Sequence, residues 1–235
     1  MLQFGYIALT VLMISIILLG YFRTVQKTTT IELSRKRTLK VGIGLLLWIL
    51  YTSIIAKTGF LQDYSLPPRF PILLIIPAFT FTGFFLYKHR NSSVIKNIPT
   101  SWLVYYQSFR ILIESLFVAS VAKGLLQPEV TFEGYNYDIL FGLSALIIGF
   151  LAFNKKVISG KGLLLWNYLG LAVIAFIIFL FTTTTYAPEL WGSTETLATK
   201  EMVTFPFVFV PAFLMPSAIF MHVVSIIQLR KKLKL

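Results

Sequence analysis

Seven apolar runs, each near the length needed to cross a bilayer, dominate this 235-residue chain. They fall at about 3–22, 41–60, 70–88, 99–126, 137–153, 162–183 and 205–228. Crossing about 30 Å of hydrocarbon takes about 20 mostly apolar residues in a helix. Inside lipid every backbone polar group must be satisfied within the chain, which leaves helices or a closed barrel. Runs of this length select helices. The expected fold is therefore all-α, a polytopic membrane protein with seven transmembrane helices. The fourth run is the longest and implies a tilted helix, or one that begins at an interfacial turn over Ile98-Pro99-Thr100-Ser101-Trp102. The fifth is the shortest.

Composition removes the competing classes. Hydrophobic residues make up 57% of the chain and charged residues 13%, and the mean hydropathy is +0.80. A soluble domain carries about 25% charge, so a soluble enzyme is excluded. Disorder is excluded because disordered chains are polar and charged. The chain has no Cys, which rules out disulfides, thiolate catalysis, Cys-ligated zinc and iron–sulfur clusters.

The basic residues set a topology. Arg23, Lys27, Arg35, Lys36, Arg37, Lys40, Lys88, Arg90, Lys96, Lys155, Lys156, Lys161, Arg230, Lys231, Lys232 and Lys234 fall on one side of the seven runs. Only Lys57, Arg69, Lys123 and Lys200 fall on the other, and Arg110 lies inside a span. The positive-inside rule puts the N-terminus outside and the C-terminus in the cytoplasm of the inner (cytoplasmic) membrane. The net charge of +12 is then accounted for by topology and by anionic inner-leaflet lipids, without nucleic acid. The outer loop over 184–204 is expected to be a surface cap or a partner-binding loop.

Similar residues recur in the two halves. Phe4-Gly5-x-x-Ala8-Leu9 matches Phe141-Gly142-x-x-Ala145-Leu146. Gly42-x-Gly44-Leu45-Leu46-Leu47-Trp48 matches Gly160-x-Gly162-Leu163-Leu164-Leu165-Trp166. Phe70-Pro71…Pro77-Ala78-Phe79…His89 matches Phe205-Pro206…Pro211-Ala212-Phe213…His222. The order is the same in both halves, which predicts two parallel three-helix repeats. The expected division is 1–97 for the first repeat, 98–136 for a central polar helix and outer loop, and 137–235 for the second repeat with its basic tail.

This plan of three, one and three helices resembles that of SWEET sugar transporters and of bacterial vitamin transporters of the nicotinamide-riboside type. The resemblance is architectural and spans the chain, but the Pro-Gln dipeptide of SWEET and PQ-loop proteins is missing from the first span of each half. A more local pattern is Ser101-Trp102…Gln107-Ser108-Phe109-Arg110…Glu114, Phe132-Glu133-Gly134…Asp138, Trp166-Asn167…Gly170-Leu171 and the prolines and His222 of the last span. It resembles a family of bacterial seven-helix integral membrane proteins to which no activity is assigned.

Ionisable groups inside spans are costly and are candidates for function. Gln107, Arg110 and Glu114 follow helical spacing and are expected on one face of the fourth span. Arg110 lies about 15 Å from the inner end of that span. An Arg110–Glu114 pair is expected, either as a structural clamp or as a ligand and proton site. In the second case Arg110 binds an anionic group and Glu114 provides coupling. Asn167 and His222 are expected to line the inner half of the same cavity. Trp48 and Trp166 are read as interfacial anchors or as walls of that cavity. Glu133 and Asp138 form an outer acidic rim, either simply solvated or a funnel for cations. The internal prolines bend spans three and seven, and matched broken helices point to a transport site.

No metal or cofactor is expected, since two isolated His residues without Cys do not make a transition-metal site. The expected partners are the bilayer, its anionic lipids and a small-molecule ligand. Transport or binding of a small solute in a polar intramembrane cavity leads. A membrane-embedded enzyme acting on a lipid or isoprenoid, and a receptor or assembly subunit, stand as alternatives.

Overall fold

The structure is a computed structural model that describes residues 1–234. Among these it is all-helical, without a strand. Two helices of 27 residues, α2 (Ile31–Lys57) and α8 (Gly160–Tyr186), run about 40 Å each at 1.5 Å per residue. α1 covers Leu2–Gln26, and α3 covers Ile76–His89 after a π-helical turn at Pro71–Ile75. The last rod is a π-helical turn at Val210–Leu214 followed by α9, Met215–Leu233. These five rods are long and apolar enough to cross a bilayer. The chain is an integral membrane protein with several crossings.

The other two apolar runs differ from the expected spans. The fourth is split. After a short α4 (Ser93–Asn97), it forms α5 (Thr100–Tyr106) and α6 (Phe109–Val121), separated at Gln107-Ser108. At the break the backbone tightens to i→i−3 bonds: Gln107 to Val104, Ser108 to Tyr105, Arg110 to Gln107 and Ile111 to Ser108. Ser108 Oγ also donates to the Tyr105 carbonyl, the kind of local bond by which Ser competes with helix continuation. The fifth is α7 (Asp138–Gly149) with a π-helical turn at Phe150–Asn154, about 25 Å in all.

Glycines let neighbours grip the broken rod. A Cβ on Gly5 or Gly20 of α1 would lie 2.7 Å from Leu116 or 2.0 Å from Trp102. On α7, Gly142 packs against Ile111 and Arg110, and a Cβ on Gly149 would lie 2.5 Å from Tyr105. The pairings show that α1 and α7 both run antiparallel to α5–α6, one on each side. Close backbone approach at small residues is how helices associate where lipid removes the hydrophobic drive.

The last rod forms the hub. It packs on α3, α5 and α8, and 56% of its apolar window is buried, against 11–39% for the other four long rods. α3 packs mainly on α9 rather than on α1 or α2. Prolines in α3 and α9 cannot donate to the carbonyls four residues before them. Side chains of α2 take two of those carbonyls: Trp48 Nε1 donates to Ala212 (2.8 Å), ahead of Pro216, and Tyr51 donates to Leu73 (3.2 Å), ahead of Pro77. Gln228 of α9 donates to Ile95 and Ile98 and accepts from Thr100, tying down the turn before α5.

The paired motifs take unequal places. Gly160 opens α8, whereas Gly42 lies about three turns inside α2. His89 ends α3 and bonds the Phe85 carbonyl, while His222 sits buried in mid-helix. Gly5 and Gly142 do share a role, both pressed against α6. The 184–204 loop folds over one end of the bundle. Gln127 N donates to Leu197, Thr199 N donates to Leu125, and Leu197, Ala198 and Val203 are buried.

Candidate functional site

Arg110 is the largest fully buried side chain among the described residues, 2% exposed. Its carboxylate partner is Asp138, not Glu114. The i,i+4 pair does not form because the segment 128–138 returns to α6 and offers each charged group a better partner. Asp138 opens α7, where the helix N-terminus favours a negative charge. Asn136 Oδ1 accepts from the Asp138 amide at 3.1 Å and fixes that start. The Arg110 guanidinium also lies over the Phe141 ring, 4.7 Å from its centroid. Asp138 is therefore not part of an exposed acidic rim. Its side chain is 13% exposed, and of the two rim residues only Glu133 faces outward.

Glu114 has a different task. Its Oε1 accepts from the Phe132 amide at 2.6 Å, and its Oε2 accepts from Asn136 Nδ2 at 3.4 Å. Asn136 also donates to the Val130 carbonyl. Glu114 and Asn136, both fully buried, thus clamp the returning loop onto α6. Asn136 is a residue that the sequence reading left outside the site. The signal was present as Asn-x-Asp immediately before an apolar run, a helix-start pattern.

Next to Arg110 lies a filled box. Phe141 and Trp166 stack at 4.7 Å, and His222 stands 5.5 Å from each ring. His222 Nδ1 and Asn167 Oδ1 are 3.0 Å apart, while Asn167 Nδ2 donates to the Leu163 carbonyl at 2.8 Å. Asn167 thereby presents its oxygen, so His222 donates from Nδ1, and Nε2 has no hydrogen-bond partner. Gly170 makes room for this ring: a Cβ there would lie 2.4 Å from His222 and 2.5 Å from Phe141. Trp166 is 7% exposed and donates to Ser144 at 3.0 Å. In Trp48 and Trp166 each indole N–H is spent on a partner inside the bundle. Gln107, at the break, donates to the Ala218 carbonyl at 3.1 Å.

The cavity lies elsewhere. It has a volume of about 140 Å³ and runs from Tyr64 and Tyr186, at the end covered by the 184–204 loop, toward Ala218. Its walls come from α6, α8 and the two proline-bearing rods, chiefly Ile113, Phe117, Ile174, Ile178, Phe207 and Leu214. Arg110, Asp138 and Asn136 form one polar corner. Gln107, Glu114, Asn167, His222, Trp48 and Trp166 do not line it, which corrects the expectation of a shared polar cavity. Most of their polar groups are turned toward helix carbonyls, the returning loop and one another, with Gln107 Oε1 and His222 Nε2 left without a partner. The cavity itself is largely apolar.

At the covered end, burial pushes the Tyr64 hydroxyl up to about 12, so it remains a protonated donor at neutral pH. Its ring sits 5.8 Å from that of Tyr186. In the neighbouring loop the Ser65 amide donates to Asp63 at 2.9 Å and holds that carboxyl below its ordinary range, with Arg69 at 2.5 Å adding to the effect. No family model, curated protein or solved structure matches the chain.

Proposed function

We propose that this membrane protein binds a small amphipathic molecule, its apolar body in the cavity and its polar end at Arg110 and Asp138. The observation that carries this reading is an apolar space ending on one buried ion pair whose guanidinium still has a terminal nitrogen without a hydrogen-bond partner. About 10–15 Å³ of such space holds one water, so this cavity has room for a molecule of many atoms. Pockets for organic ligands are mostly apolar with a few placed polar groups. A strongly polar solute finds too few partners along these walls.

In this reading the broken fourth rod and the short α7 complete seven crossings. The N-terminus is outside, the basic C-terminus lies in the cytoplasm of the inner membrane, and anionic lipids meet the basic side. The cavity then opens near the outer face.

The test is native mass spectrometry of protein released gently from membranes, wild type beside Ile178→Trp. The expected result is an amphipathic adduct on wild type that the variant loses. A polar metabolite in its place, or bare protein in both samples, overturns the reading.

Transport remains a second reading because both π-helical turns border the cavity. Pro71 and Ile75 come from one, and Val210, Pro211 and Leu214 come from the other. π-helical turns often occur at functional sites. The chain has no native Cys, so single-Cys variants at Ile75 and Ala218 report access cleanly. Labelling from both membrane faces supports transport, and labelling from one face only supports binding.

A further inference from the structure

We infer that the polar end of the ligand is an uncharged hydroxyl, so that the site takes a medium- or long-chain alcohol rather than an acid or an amine. This deepens the proposed binding function and rests on it.

Charge comes first. Among the described residues Arg110 is the only cation lining the cavity. Asp138 faces it directly, and Glu114 is a second carboxylate one turn along α6. Both Glu114 oxygens accept hydrogen bonds from the returning segment. His222 does not line the cavity, and its Nδ1 meets Asn167 Oδ1. The polar corner thus holds the paired Arg110 and Asp138, and the Glu114 carboxyl lies behind it, turned to the Phe132 amide. An added anion meets the Asp138 carboxylate at the cavity wall, at short range, where the interior screens little. An added cation meets Arg110 at the cavity wall. The role of Arg110 as an anion fork, expected from its side-chain type, is already taken by Asp138.

Hydrogen bonding points the same way. Arg110 Nη1 has no partner, and guanidinium nitrogens only donate. Asp138 lines the same corner, retains some exposure, and only accepts. A group that satisfies both must accept and donate at once. A hydroxyl does this through a single oxygen. A carboxylate has no proton to give, an ammonium has no lone pair, and an alkane leaves both groups unmet.

The test uses ligands that share one chain length. Tritiated decanol is titrated onto phosphatidylcholine nanodiscs that carry the protein, with empty nanodiscs as background, in mildly alkaline buffer. Unlabelled decanol, decanoate, decylammonium and decane compete. The expected result is saturable retention, with decanol displacing the label at least about tenfold better than the other three, a difference of about 1.4 kcal/mol. Ile178→Trp, a change on the apolar wall away from the ion pair, is expected to abolish retention while the protein keeps its thermal midpoint. If decanoate or decylammonium competes as well as decanol, the hydroxyl inference falls and the binding function stands. If decane competes as well, the polar corner plays no part and the inference falls. If tritiated decanol, decanoate and decylammonium, each then titrated alone, all show no saturable retention, the binding function falls with it. Retention unchanged by Ile178→Trp places the alcohol outside the cavity and also overturns the inference.

Discussion

Arg110 borders two regions of opposite character. On one, Phe141, Trp166, His222, Asn167 and Gly170 fill the space and spend nearly every polar group on a partner. On the other, Ile113, Ile174, Ile178 and Leu214 leave a cavity of about 140 Å³. The residues that attract attention in the sequence are concentrated in the filled region. The space for a ligand is in the plain one. Polar residues in a membrane helix must find partners, and finding them closes the space around them. Room for a ligand remains where side chains make no such demand.

The largest expected effect breaks the element common to both regions. Asp138→Ala leaves Arg110 buried without its carboxylate and is expected to cost about 3–5 kcal/mol, read from unfolding in mixed micelles. Adding Arg110→Ala is expected to recover part of that loss, because the double variant has no unpaired charge. A loss below about 1 kcal/mol for Asp138→Ala shows that the pair is not buried in solution.

Two substitutions probe the filled region alone. Gly170→Ala drives a Cβ into His222 and Phe141 and is expected to cost about 1–3 kcal/mol by overpacking. Asn167→Leu removes the acceptor of the His222 Nδ1 proton and is expected to cost about 1–2 kcal/mol. Both are expected to lower the thermal midpoint while leaving bound amphipath unchanged. Loss of ligand without loss of stability in either variant reverses the roles of the two regions.

Ile178→Trp probes the cavity with the opposite signature. It is expected to leave stability equal or raised by about 0.5–2 kcal/mol, as cavity filling does, while removing the ligand. The smallest effect lies outside both regions, in the loop of Asp63. That carboxyl is held below its ordinary range in the folded protein by the Ser65 amide. Its contribution is present above the ordinary carboxylate pKa and is lost as pH falls through the depressed one. Amide exchange in residues 60–69 is expected to speed up only in that acidic window, with the α6–α7 region unchanged.

Much of the site was half legible. Arg110, Glu114, Asn167 and His222 were marked by being polar in apolar runs, and all four are fully or nearly fully buried. Their pairings were not legible. Spacing of four along one helix is only one way to bring charges together, and here the 128–138 segment supplies Asp138 to Arg110 and the Phe132 amide to Glu114. The prolines were visible as sources of unsatisfied carbonyls. That Trp48 and Tyr51 would cover two of them required α2 to lie beside both rods. The break at Gln107-Ser108 was hidden within an apolar run whose length suggested one continuous helix.

By itself the sequence determined the solvent of this protein and the kind of element it is made from. Runs of some twenty apolar residues cannot be hidden in water, and in lipid they must be helices because the backbone has no other partner. Tertiary structure alone decided which carboxylate meets Arg110, which tryptophan nitrogens are spent inside the bundle, and where the empty space lies. Those outcomes depend on which helices become neighbours and at what depth. Contacts between residues far apart in the chain set both, and composition and local spacing do not record such contacts.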